Sequence, residues 1–213
     1  MLAHDLLHFM DSYQIKRAIL VGMSMGGTVA INAALTNPER VEGLFVVDMT
    51  VGKYSESLIE LIKSGMTRVH NFLKQIPPDT DAEQVILTMS EEIQKIIPEG
   101  LTGKVKEQMI DSYLGFLKRQ KNGHWSSRAN IPVLIKALNN PDSLMSDPEG
   151  IYSGPSTFIY GTESILDFST NEARIKQHFP GAKMVAIQGS SHNIIADCPD
   201  MLQKTLLEFL SKV

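Results

Sequence analysis

Ser24 sits in Gly22-Met23-Ser24-Met25-Gly26, a G-x-S-x-G pattern with Gly27 following. A serine hydroxyl is a weak nucleophile at neutral pH and attacks a carbonyl only when a neighbouring base takes its proton. The pattern suits that chemistry when the serine occupies a sharp strand-to-helix turn that raises its hydroxyl above a sheet. Glycines flanking the serine are expected there because a Cβ at either position would clash with the turn. A helix starting at Met25 would aim its N-terminus, and the Met25 N–H, at negative charge developing on a carbonyl oxygen. Glycine and serine are common in loops, so the pattern gains meaning only from its neighbours.

The base should be a histidine on the same edge of the sheet. His192, in Gly189-Ser190-Ser191-His192-Asn193, follows the last predicted strand and lies late in the chain, the order that this turn chemistry favours. A single loop histidine is often only a surface residue; position and order distinguish this one. His4 and His8 fall on an opening helix, His70 and His124 in the middle of the chain, and His178 on a helix face. The imidazole also needs a carboxylate to fix its tautomer and stabilise its charged form. Two places can supply it: Asp48, at the end of the strand after the serine helix, or Glu163 and Asp167, after the next strand. Asp48 could equally brace a turn. The residues alone leave the choice open.

These side chains need strands to position them. Arg17 to Gly22 is a short β-branched run bounded by glycine, and Gly43 to Asp48 is a second; both read as buried strands. Between them, Val29 to Leu35 reads as a helix stopped by Asn37-Pro38. Strand, helix, strand implies a parallel sheet. Apolar spacing over residues 2–13 predicts a helix before it. From about 55 to 140 the pattern predicts helices only, around Leu58 to Ile62, Val85 to Leu87, Val105 to Leu117 and Val133 to Leu138, punctuated by Pro77-Pro78, Pro98, Asn122-Gly123 and Pro141. Strands resume at 156–161 and 184–189, with helices at 171–179 and 200–212. The expected organisation is a core of 1–51 and 152–213 interrupted by a helical insert of 52–151.

Composition limits the alternatives. At 213 residues the chain can bury one sizeable core, and 43% apolar with 21% charged residues is ordinary for a soluble globular protein. A net charge of −4 without a basic stripe argues against nucleic acid as a partner. No apolar run is long enough for a transmembrane segment. The opening residues do not read as a signal peptide, because His4, Asp5 and Asp11 interrupt them. Cys198 is the sole cysteine, which excludes an internal disulfide framework and fits a reducing, intracellular setting. Neither a metal nor an organic cofactor is implied.

The stretch from Asp5 to Asp48 resembles the nucleophile region of the α/β-hydrolase superfamily, and within it the α/β-hydrolase-domain-containing protein 11 group and related bacterial esterases, and the similarity extends over nearly the whole chain. The residues that carry this are Leu20 to Thr28, Ala34-Leu35, Pro38 to Glu42 and Val47-Asp48, then Gly154 to Gly161, Phe179 to Ala182, Gly189 to His192, Ala196-Asp197 and Pro199. Trp125, Asn130-Ile131 and Leu134 resemble the group within the insert. The resemblance implies a mostly parallel α/β-hydrolase sheet with the insert as a helical lid. It also implies a serine esterase that acts on an acyl-lipid-like ester through an acyl-enzyme, and residence in the mitochondrion. The group lacks a carboxylate at the position matching Ser164 and carries an Asp matching Asp48, so the resemblance favours Asp48, with Ser24, His192 and the Met25 N–H in their expected roles. A deformable apolar pocket could draw on Met23, Met25, Met66, Met89 and Met109, although each is ordinarily a packing residue. Two departures stand out. Met23 replaces a histidine usual in the group, and the chain starts after several strands of the superfamily pattern. The expectation is therefore a truncated core that lacks its first strands and its second oxyanion donor, with Arg17 to Gly22 at an open edge. The rival expectation is a catalytically impaired form or a non-catalytic partner protein of the same fold.

Overall fold

The computed structural model describes residues 2–95, 97, 103–140, 148–166, 168 and 171–213. The chain divides into two compact units, Met1–Lys53 with Asp142–Val213, and Tyr54–Pro141.

The first unit is built on a four-stranded parallel sheet in the order β1-β2-β5-β6, from Ala18–Met23, Val41–Val47, Ser156–Gly161 and Lys183–Ile187. Six of the seven residues of β2 are buried, as a strand covered on both faces requires. Helix α1 (Leu2–Ser12) precedes β1, and α2 (Met25–Thr36) links β1 to β2. The small residues Ala30, Ala33 and Ala34 of α2 are buried, which lets its backbone approach the sheet closely. On the C-terminal side, α7 (Glu172–His178), the short α8 (Ile194–Asp197) and α9 (Pro199–Leu210) complete the unit. Phe45, Val47, Ile159, Ile187, Ile194 and Phe209 form one cluster, with Phe45 and Phe209 ring centroids 5.5 Å apart. Among the described residues β1 pairs only with β2, and Val21 on it is exposed.

Register is what matters for chemistry. Met23 aligns with Val47, Val47 with Ile159, and Gly161 with Ile187. The strands run parallel, so the residues just beyond these positions all emerge at one carboxyl edge. Ser24 follows β1, Asp48 follows β2, and His192 lies in the loop after β6. The last strand ends at Ile187, two residues before the expected Gly189, because Gln188 and Gly189 turn the chain, with Gly189 at φ 68°.

The second unit contains α3 (Glu56–Gln75), α4 (Ala82–Gln94), α5 (Gly103–Leu114) and α6 (Ile131–Leu138). Ser55 caps α3 by accepting from the Leu58 N–H at 3.2 Å, and Asp81 caps α4 by accepting from the Glu83 N–H at 2.8 Å. Val69, Leu73 and Ile76 meet Val85, Met89 and Ile93 in its core. The expectation of helices alone fails here. Helix α5 stops at Leu114 rather than Leu117, and an antiparallel hairpin follows, β3 (Leu117–Arg119) with β4 (Trp125–Ser127). Asn122-Gly123, read only as punctuation, is the hairpin's turn signal, and Gly123 takes φ 82°. Strands of three residues are too short for alternation to register in the sequence. The Trp125 indole donates to the Thr80 carbonyl at 3.0 Å and fixes the hairpin against the start of α4. No helix among the described residues is long and apolar enough to cross a membrane.

Candidate active site

Ser24 is the hinge between β1 and α2. Its backbone takes φ 52° and ψ −122°, a conformation that costs free energy for a residue with a Cβ and is characteristic of functional turns. Two hydrogen bonds hold it: the Ser24 N–H donates to the Val47 carbonyl at 3.1 Å, and the Thr28 N–H to the Ser24 carbonyl at 3.0 Å. A Cβ on Gly22 would lie 2.3 Å from the Gly26 carbonyl oxygen and 2.7 Å from the Gly27 nitrogen. A Cβ on Gly27 would lie 2.8 Å from the Cβ of Met49. Gly26 has no atom within 4 Å of its Cβ position. The crowding expected of both flanking glycines therefore applies to Gly22, which packs on the first turn of α2, and to Gly27, which packs on Met49, but not to Gly26. The Met25 N–H is one of the first of α2, which a helix leaves without an intrahelical acceptor.

Asp48 directly follows β2 at φ 46° and is completely buried. Its N–H donates to the Ile159 carbonyl at 2.8 Å, extending the sheet by one bond. Its Oδ1 accepts from the Gly161 N–H at 2.8 Å. Its Oδ2 accepts from the Ser164 hydroxyl at 2.5 Å and lies 2.6 Å from His192 Nδ1. The Ser164 hydroxyl itself accepts from the Leu166 N–H at 3.1 Å, which directs its proton to Asp48. An ionised carboxylate only accepts, so Nδ1 carries the imidazole proton and Nε2 keeps a free lone pair. Nε2 lies 3.0 Å from the Ser24 hydroxyl, in position to accept its proton. The His192 side chain is 30% exposed while Asp48 is at 0%, so the carboxylate is shielded from water and the ring is partly open to solvent.

The loop that carries His192 is tied down on both sides. The Gly189 N–H donates to Thr162 Oγ1 at 2.9 Å and the Glu163 N–H to the Ser190 carbonyl at 2.8 Å. Asp197 Oδ2 accepts from the Ser191 N–H and the Ser191 hydroxyl, both at 2.8 Å, and from the Ser190 hydroxyl at 3.2 Å.

The structure thus brings Ser24, His192 and Asp48 together. Glu163 meets the histidine loop through its backbone N–H, which donates to the Ser190 carbonyl, and Asp167 lies outside the described residues. Ser164 and the Gly161 N–H join Asp48 in a way that residue types alone did not signal; Ser164 drew notice only as a non-acidic position. Asp197 gave no chemical signal, because an acid five residues beyond the histidine has no special spacing. His178 is structural, its Nδ1 2.9 Å from the Gly150 carbonyl. His70 lies in the helical unit, where burial and the neighbouring Lys74 ammonium lower its pKa from the ordinary 6.5. Met89 is fully buried in the helical core and Met66 packs against it, so both are packing residues there. Met23 packs against the Phe45 cluster, Met25 is exposed, and the Met109 side chain lies outside what is described. Among the described residues, no three His, Cys, Asp or Glu side chains are grouped so as to hold a metal ion.

A family model described as the alpha/beta hydrolase fold matches residues 1–199. The chain is similar to the sn-1-specific diacylglycerol lipase ABHD11 of Danio rerio, 28% identical over 97% of this chain and 61% of the relative. It is likewise similar to a putative esterase/lipase of Haemophilus influenzae, 27% identical over 100% of this chain and 67% of the relative. Among solved structures it resembles a marine microorganism esterase, with a TM-score of 0.74 and 26% identity over 97% of this chain and 75% of that one. The chain spans about three-fifths of the length of the diacylglycerol lipase relatives it matches.

Proposed function

The chain belongs to the alpha/beta hydrolase fold family, and on that premise we propose that it is a serine-dependent hydrolase of carboxylic esters. One observation carries the reading: a continuous relay in which Ser24 Oγ lies 3.0 Å from His192 Nε2 while His192 Nδ1 lies 2.6 Å from a buried Asp48. His192 takes the Ser24 proton as the hydroxyl oxygen attacks the ester carbonyl. The resulting oxyanion faces the Met25 N–H at the positive end of α2. His192 then returns the proton to the leaving alkoxide, giving an alcohol and an acyl-Ser24. Water repeats the sequence, with His192 again as base, and releases the carboxylic acid. Asp48, held by the Gly161 N–H and the Ser164 hydroxyl, keeps the proton on Nδ1 and stabilises the imidazolium.

The substrate class we propose is an acyl ester of lipid-like character, supported by the diacylglycerol lipase and esterase/lipase names of the relatives. The test is intact-mass labelling by a fluorophosphonate. The expected result is a single adduct that maps to Ser24 and is absent in Ser24→Ala, with turnover of p-nitrophenyl esters lost in parallel. Unchanged ester turnover in Ser24→Ala, at retained fold, would refute the assignment. A series of acyl esters of graded length then reads the preferred chain.

A further inference from the structure

We propose that Asp197 is a positioning residue for this chemistry: through Ser190 and Ser191 it holds His192 at its working distance from Ser24. The inference rests on the reading of His192 as the base. Residues 188–193 have no regular structure, so the ring's position depends on how the loop is tied. Before His192, a single carboxylate oxygen accepts from the Ser191 N–H, the Ser191 hydroxyl and the Ser190 hydroxyl. After it, the Asn193 N–H donates to the Ser191 hydroxyl oxygen at 3.1 Å. The Asp197 N–H donates back to the Asn193 carbonyl at 3.0 Å, closing a ring of contacts around the histidine. Asp197 thus holds the Ser191 N–H before His192 directly and the Asn193 N–H after it through the Ser191 hydroxyl.

The two serines show why a carboxylate is needed. Ser190 is completely buried and Ser191 is 2% exposed. Without Asp197 the Ser191 N–H and hydroxyl would be buried without an acceptor, which costs about 1–3 kcal/mol per group, and the loop would move to satisfy them, whereas the Ser190 hydroxyl still has the Ser191 carbonyl at 3.3 Å. The room for movement is small. Beneath the loop, a Cβ on Gly161 would lie 2.3 Å from the Ser190 and Ser191 carbonyl oxygens, so the loop backbone already rests on the end of β5. Any relaxation is outward, lengthening the 3.0 Å contact between Nε2 and Ser24. A displacement of about 1 Å at a reacting pair can cost about a hundredfold in rate.

The experiment compares Asp197→Ala, Asp197→Asn and Ser191→Ala with the unaltered chain, counting active sites by fluorophosphonate titration. Per titrated site, Asp197→Ala should lower kcat about 10–100-fold with KM nearly unchanged. Asp197→Asn keeps one accepting oxygen and should restore part of that loss. The double variant Asp197→Ala with Ser191→Ala should lose no more than the worse single variant, because both act through one contact. A second readout is independent of turnover: the downfield proton signal of His192 Nδ1–H in its short bond to Asp48, assigned by its loss in His192→Gln. It should shift or broaden in Asp197→Ala. Should the unaltered chain fail to label, the esterase reading falls, and the proton signal still decides the role of Asp197. Wild-type kcat per titrated site, or an unmoved proton signal, in a folded Asp197→Ala protein would overturn the proposal, whatever the change in melting temperature.

Discussion

Replacing Asp48 by asparagine forces a choice between two amide orientations, and the structure shows the consequence of each. In one, the amide nitrogen takes the place of Oδ2 and donates to His192 Nδ1. The imidazole proton must then sit on Nε2, which turns a donor toward Ser24 and can no longer take its proton. In the other, the amide oxygen faces His192 and Ser164, and the nitrogen faces the Gly161 N–H across 2.8 Å. That opposes two donors at a site with no exposure to water and costs about 1–3 kcal/mol. The first orientation avoids this cost, since the Ser164 hydroxyl can rotate to accept. The wrong tautomer should therefore dominate. Such a swap in a triad of this type costs about 10⁴-fold in kcat, or about 5 kcal/mol of transition-state stabilisation at about 1.4 kcal/mol per decade. The assay is kcat/KM on a p-nitrophenyl ester alongside the second-order rate of fluorophosphonate labelling, with circular dichroism to verify the fold. Both rates should fall together. Activity within about tenfold of the unaltered chain would refute the reasoning, and would mean that a different carboxylate orients His192.

Further outcomes follow from the turn and from the helical unit. Gly22→Ala drives a Cβ to 2.3 Å from backbone, so it should lower stability by about 1–3 kcal/mol, whereas Gly26→Ala meets no atom within 4 Å and should leave stability unchanged or raise it; paired thermal melts check the contrast. Glu92 accepts from Lys95 and from Arg68, the latter at 3.0 Å, and these bonds hold its pKa below the ordinary 4.5. A depressed carboxylate contributes stability that is present above its unfolded pKa and lost as pH falls through the folded value. The helical unit should therefore lose part of its acid resistance below about pH 4.5 in the unaltered chain, and Glu92→Gln should remove that dependence in melts run from pH 6 to pH 3. An identical acid limb in both proteins would refute it.

The resemblance to the α/β-hydrolase superfamily was legible because its carriers are local. The Gly22 to Gly27 turn is dictated by residues within one strand and the first turn of one helix. Strand β2 announced itself by the apolar run from Gly43 to Val47, since a parallel strand buried on both faces needs no alternation, whereas β1, read as equally buried, has Val21 exposed. The hairpin at Leu117–Ser127 escaped because three residues carry no period, and because Asn-Gly both breaks helices and makes hairpins.

The site divides in the same way. That Ser24 lies on a strand-to-helix turn and that His192 follows the last strand could be read from the residues flanking each. Residue types and spacing left Asp48 and the acids after β5 open, and only the family resemblance favoured Asp48, because the choice depends on which side chains the fold brings together. In the structure Met23 lies beside Val47 and Val47 beside Ile159, which brings Asp48 to the shared carboxyl edge, where its carboxylate lies 2.6 Å from His192. Ser164 and Asp197 were likewise decided by tertiary structure, their partners being respectively 116 residues away and across a loop. The bond from Ser164 leaves no trace in spacing because it is set by how the sheet is ordered, and those of Asp197 leave none because they depend on how residues 188–197 fold back on themselves.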